Sequence, residues 1–191
     1  GVYFNRNRWL KQGLHAELSW EFAPLFFFNE GTGADYRRFN LTVLGFLPLV
    51  DKEKVSIYVG ERFMIDHLSG DYIPVRARTN LGGFSRYPGF TTGLGGGVRG
   101  VEAGRFDGYV KALNNLEVRI NVPQWSEYEV VPEIIGYVDL GVGDDLTSRL
   151  NWDQILTSVG VGVGVSDLIV YGSYFCNDDK FSVEISLGIH F

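Results

Sequence analysis

The chain runs out on FSVEISLGIHF, residues 181–191, in which Phe181, Val183, Ile185, Leu187, Ile189 and Phe191 alternate strictly with Ser182, Glu184, Ser186, Gly188 and His190. A two-residue period belongs to extended backbone, whose side chains leave on opposite faces, so this stretch can gather its apolar side chains only as a strand. The same period returns in LHAELSWEF, where Leu14, Ala16, Leu18, Trp20 and Phe22 oppose His15, Glu17, Ser19 and Glu21. Six further stretches lie between, at about 35–47, 54–66, 108–122, 132–142, 157–166 and 168–176, which makes eight expected strands. In 157–166 one face is Val159, Val161, Val163 and Val165 and the other is Ser158, Gly160, Gly162 and Gly164, nearly bare backbone. Such a face suits a tightly curved wall or something packed against it. In 108–122 the apolar set is Val110, Ala112, Leu116, Val118, Ile120 and Val122, opposite Lys111, Asn115, Glu117, Arg119 and Asn121.

Composition supports an all-β chain. The 191 residues, 45% of them hydrophobic, are enough for one substantial domain, and 15% aromatics with 25 Gly favour sheet with many turns. A net charge of -6 argues against nucleic-acid binding, which needs a basic face. The lone Cys176 excludes an intramolecular disulfide. The longest apolar candidates, LTVLGFLPLV at 41–50 and APLFFF at 23–28, are broken by Pro or Gly, so no transmembrane helix is expected. The opening at Gly1, without Met or a signal-peptide core, is the expectation for a mature or trimmed form.

Connection lengths add a second constraint. Longer and shorter links broadly alternate: about a dozen residues, then PLVDKEK, then some forty residues over 67–107, then PQWSEYEVV, then GDDLTSRLNWDQIL, then the tight SD, then NDDK. This is the pattern of an outer-membrane barrel, with loops on one side and turns on the other, and tilted strands of this length cross a hydrocarbon layer. The polar faces carry Glu17, Glu21, Arg38, Asn40, Arg62, Glu117, Arg119, Asp139 and Glu184, both signs together, as an ion-paired interior would. The expected fold is therefore an antiparallel transmembrane β-barrel with eight strands in this chain, closed alone or contributing half of a sixteen-stranded barrel. It is one domain over 1–191, with residues 1–12 as a periplasmic lead-in. A soluble barrel or sandwich of the lipocalin kind alternates equally well, with its apolar face inward, and is the competing fold.

The final strand, apolar at alternate positions back from Phe191, resembles the recognition signal of bacterial outer-membrane barrels, which implies the barrel assembly machinery as a partner. More specifically, GGGVRGVEAGRFDGYVKALNNLEVRINV at 95–122 resembles the "VRG" loop and following strand of the BamA and two-partner-secretion transporter superfamily, also called the bacterial surface antigen family of Gram-negative bacteria. The likeness extends through IIGYVDLGVGDD and LTSVGVGVGVSDLIVYG to the terminal strand, and covers Gly13 to Phe191 as the last eight of that family's sixteen strands. It implies a structural latch in which Arg99, flanked by Val98 and Gly100, reaches Glu117 and Asp139 on two neighbouring strands. Gly95, Gly96, Gly97 and Gly100 would let the loop approach closely. The implied role is membrane-protein insertion, secretion or partner anchoring in the bacterial outer membrane, with client or secreted proteins as partners and a homodimer possible. An eight-stranded barrel is only just filled by its own side chains, so the loop would cap a closed barrel and enter only a wider one.

No cofactor or metal is expected. GLGGGVRG lacks the Lys and Ser/Thr of a phosphate loop, and GxSxG does not occur. His15 and His190 would come near each other only if the first and last strands paired. His67, Ser69, Asp71 and Ser85 hold the ingredients of hydroxyl activation, which keeps a small outer-membrane lipid-modifying enzyme, or an adhesin, as the alternative to a non-enzymatic barrel.

Overall fold

The structure is a computed structural model, and it describes residues 2–7, 10–24, 33–82, 97–102, 106–125, 131–144, 146, 148–165 and 168–187. Nine strands follow one another in the sheet in chain order: β1 (Val2–Asn7), β2 (Leu10–Ala23), β3 (Asp35–Lys52), β4 (Val55–Tyr72), β5 (Val110–Asn121), β6 (Pro132–Gly143), β7 (Leu156–Val165), β8 (Leu168–Phe175) and β9 (Lys180–Leu187). Every neighbouring pair is antiparallel. Among the described residues the only helical elements are two short 3-10 turns, Val75–Ala77 and Pro123–Trp125, and no helix is long and apolar enough to cross a membrane.

The eight strands read from alternation are β2 to β9. Residues 2–7, expected as lead-in, instead add β1 against β2, with a register shift between Asn5 and Asn7. The sheet stays open: β1 pairs with β2 and β9 with β8, and no pairing joins β1 to β9 among the described residues. A barrel closed by this chain alone, one of the two expected forms, is therefore not formed. The described parts of the β4–β5 connection, Leu81, Val98, Arg99 and Val101 among them, pack on one face of the sheet. That face is called inner below, and the opposite face outer.

Burial divides along each strand with period two. In β5, Leu113, Asn115, Glu117, Arg119 and Asn121 are buried on the inner face, while Leu116 and Val118 are bare on the outer one. Val110 and Val122, expected with the outer set, are buried instead. They lie where the strand meets its connections, with the Val110 N–H donating to Asp144 Oδ1 and the Val122 N–H to the Pro132 carbonyl. Across the rest of the outer face Leu14, Leu18, Trp20, Ile134, Val138, Val159, Val161, Val163, Val170, Phe181, Val183 and Ile185 stand exposed.

Candidate functional site

The β4–β5 connection is a folded element. Its base is tied by reciprocal backbone bonds between Thr79 and Gly108, 3.0 and 2.8 Å, and by Asp144, which accepts from the backbone N–H groups of Tyr109 at 2.7 Å and Ser148 at 2.6 Å. Leu81, Val98 and Val101 of the connection form one apolar cluster with Leu113, Leu156 and Phe175 of β5, the β7 start and β8. Each such side chain fully buried contributes about 1.5–3 kcal/mol. Three of them are of the same order as the several kcal/mol that taking one ion out of water costs. The loop can therefore carry a charge onto the inner face.

Arg99 is that charge. Its Nε and Nη2 donate to Asp139 Oδ2 and Oδ1 at 2.7 and 2.6 Å, its backbone N–H donates to Asp139 Oδ2 at 3.0 Å, and its Nη1 donates to Glu117 Oε1 at 2.6 Å. The two carboxylates are fully buried, on adjacent strands. Burial alone would disfavour the guanidinium charge, but the bonds to Asp139 and the charge of Glu117 outweigh it and raise its pKa above the ordinary value. Planar, two-pronged geometry is what arginine offers and lysine does not.

The contacts continue beyond this trio. Glu117 Oε2 accepts from Arg119 Nε at 2.7 Å, and Arg119 Nη1 donates at 3.0 Å to Glu133, whose other oxygen accepts from the Tyr58 hydroxyl at 2.8 Å. The order Asp139, Arg99, Glu117, Arg119, Glu133 alternates in sign, so each buried charge has an opposite neighbour, the condition under which buried ions are tolerated. Asn115 braces one end, its Nδ2 donating to Asp139 Oδ1 at 2.8 Å and to the Gly97 carbonyl at 3.0 Å.

Two aromatic rings complete the seat. The Arg99 guanidinium carbon lies 3.4 Å from the Tyr137 ring centroid and 5.0 Å from that of Tyr171, and the rings meet edge to face at 5.7 Å. Tyr137 also shares a short hydrogen bond with Ser173. Their space comes from β7: a Cβ at Gly160 would meet the Tyr137 hydroxyl at 2.5 Å, and one at Gly162 would meet the Tyr171 ring at 2.7 Å. Sequence reasoning named the bare glycine face but neither tyrosine. The signal was available, since Tyr137 shares its face with Asp139 two residues on.

Val98 and Gly100 flank the arginine with different tasks. Val98 enters the apolar cluster, while Gly100 turns the chain at φ 81° and donates its N–H to Glu184 Oε1 on β9 at 2.6 Å. A Cβ there would stand 3.3 Å from Ser173 Cβ, and the left-handed conformation itself favours glycine.

A second set of cations lies nearby on β3 to β5. Arg38 makes a two-pronged ion pair with Asp66, and Lys111 Nζ donates to the Asn80 carbonyl at 2.8 Å. Arg62 is different: buried to 4% exposure, it donates Nε to Asn115 Oδ1 at 3.1 Å, and its Nη2 has no hydrogen-bond partner among the described residues.

The remaining expected residues are distributed as follows. Phe181, Val183 and Ile185 stand bare on the outer face of β9; the Leu187 side chain, Ile189 and Phe191 lie outside the described residues. His67 and Ser69 occupy the outer-face positions at the end of β4 and make no hydrogen bond with each other or with Asp71, while Ser85 lies outside the described residues. His15 Nε2 is 4.0 Å from Glu17, and His190 lies outside the described residues. Among the described residues no group of His, Cys, Asp and Glu could hold a metal ion. No family model matches the chain, and no match is found among curated proteins or solved structures.

Proposed function

We propose that this chain is wall and plug of an outer-membrane β-barrel, working without enzymatic chemistry in membrane-protein insertion, secretion or the anchoring of a partner. The observation that carries the membrane reading is the inside-out division of the sheet. Leu18 at 68%, Val161 at 65% and Phe181 at 70% exposure share a bare apolar face, while Glu117 and Asp139 on the inner face are at 0%. An apolar face running from β2 to β9 far exceeds what a soluble monomer leaves in water, and hydrocarbon is the solvent that suits it. The edges of β1 and β9 would then need partners too, because backbone groups exposed to hydrocarbon must be hydrogen-bonded.

Support for the transport reading is the placement of Arg99 against Glu117 and Asp139, the arrangement that the resemblance to the assembly and secretion superfamily implies. Charge pairing holds the loop on the wall by reversible contacts, as a plug that must shift for a passing chain requires. The enzyme alternative finds less support, since His67 and Ser69 are not in hydrogen-bonding contact.

The membrane reading is tested by folding in detergent and by gel migration with and without heating: a compact, heat-modifiable form that needs detergent or lipid is expected. A folded, soluble monomer in plain buffer would overturn it. The transport reading is tested by Arg99→Ala in a client-insertion or secretion assay at matched amounts of folded protein, where a clear loss of product is expected and an unchanged yield contradicts it.

A further inference from the structure

From Val55 to Ile65, before His67 and Ser69 at its end, the outer face of β4 reads Val55, Ile57, Val59, Glu61, Phe63, Ile65, so one carboxylate interrupts an apolar row near its middle. Across the sheet Glu61 is registered with Gly45 on β3 and Leu116 on β5, and along its strand it stands between Val59 and Phe63. It is exposed. Its hydrogen-bond partner is the side chain of Asn114, registered with Phe63, whose Nδ2 donates to Glu61 Oε1 at 2.9 Å. On the outer face of β5 Asn114 is in turn the sole polar residue between Ala112 and Ile120.

In water this pair would be unremarked surface. On the membrane reading, on which this inference rests, it is a carboxylate and a carboxamide facing hydrocarbon at mid-height. Polar groups there are costly and mark contacts with other protein segments. One bond from Asn114 serves one carboxylate oxygen, which leaves the other oxygen and the second amide N–H with bonding capacity to spare.

We infer that Glu61 and Asn114 are the centre of a two-fold contact between two copies of this chain, made outer face to outer face within the membrane. The occupant follows from the pair's own chemistry. It holds an acceptor and a donor within 2.9 Å of each other, so a two-fold axis along the membrane normal passing beside them brings Asn114 of each copy to Glu61 of the other at the same height. A pair with both halves of the bond needs no foreign cation. Gly45 beside Glu61 keeps side-chain bulk low on one flank, and close backbone approach is what packing between membrane segments favours.

The test is the mass of the detergent-solubilised and bilayer-embedded particle for wild type, Glu61→Leu, Asn114→Leu and Glu61→Gln. Wild type is expected as a pair. Either leucine variant should dissociate to single copies, with affinity about tenfold or more weaker, the effect of losing interhelical-type polar bonds in a membrane. Glu61→Gln keeps an acceptor and should stay paired. All variants should remain heat-modifiable, which separates failure of this contact from failure of the membrane reading. Asn114→Leu serves if Glu61→Leu does not fold. A single-copy wild type, a leucine variant that pairs as tightly as wild type, or cross-linking from Gly45→Cys to a different protein would each overturn the inference.

Discussion

The two faces of β5 differ by one residue of phase and by everything else. Glu117 points inward with two arginines on its carboxylate, while Leu116 and Val118 on either side are 40% exposed and have no assigned partner. The inner face is specified residue by residue: Asp139 needs Arg99 and Asn115, Glu133 needs Arg119 and Tyr58, and β7 must be glycine where the tyrosines lie. The outer face is specified by hydropathy alone, apart from Glu61 and Asn114 at mid-strand and polar strand ends such as Arg37, His67 and Ser69. One face should therefore tolerate apolar exchange and reject charge, and the other should reject nearly any change of partner.

The largest effect is expected from Asp139→Ala. This carboxylate takes three bonds from Arg99 and one from Asn115, and its loss leaves a buried guanidinium with Glu117 as its remaining carboxylate. Removing one partner of a buried pair costs about 3–5 kcal/mol. Denaturant unfolding in micelles should report that loss, and a change below about 1 kcal/mol would mean that the inner face is no more specific than the outer. Next comes Val118→Arg, one residue from Glu117 and facing the other way. If the outer face meets hydrocarbon, arginine near mid-height costs about 2–4 kcal/mol. If it meets water, the change is within about 0.5 kcal/mol. The same unfolding measurement in lipid vesicles separates the two, and the second value would erase the difference in solvent between the faces.

Much of this contrast was legible in the sequence because period two is a local signal. The stretch read as 132–142 is Pro132–Gly143, and that read as 168–176 is Leu168–Phe175. Legibility failed where alternation is interrupted. VYFNRN mixes apolar and polar residues on both faces and so carries no strand signal, and β3 and β4 run on past 47 and 66, through a register shift at Pro48 and a positive-φ Gly70, to Lys52 and Tyr72. Closure is invisible to alternation altogether, since pattern says which way a side chain points but not what the last strand meets. For the site, Glu117 and Asp139 could be put on one face from parity, whereas their link to Arg99 rested on resemblance. The same parity puts Tyr137 beside Asp139, whereas the seating of a cation on Tyr137 and Tyr171 is a product of three strands and a loop, with no spacing of its own.

Arg62 gives the smallest single effect and the sharpest test of inner-face pairing. It is registered opposite Asn115, which is registered opposite Asp139, so it stands behind an amide from the carboxylate that Arg99 holds. Asp139 and Glu117 attract it, Arg99 repels it, and among the described residues its hydrogen bond goes to a neutral acceptor. In the wild type, Arg62→Gln therefore exchanges a poorly served buried cation for an amide, and its cost should stay within about 1 kcal/mol. In an Arg99→Ala background the repulsion is gone and Asp139 has lost its two-pronged partner, so Arg62 becomes the cation nearest to it along the row. Removing Arg62 there should cost about 1–3 kcal/mol more than in the wild type, a coupling typical of groups in one charge network. A double-mutant cycle in micelles measures the difference directly. If the two changes add within about 0.5 kcal/mol, Arg62 lies outside the field of Asp139, and the inner face is a set of separate pairs joined by proximity only.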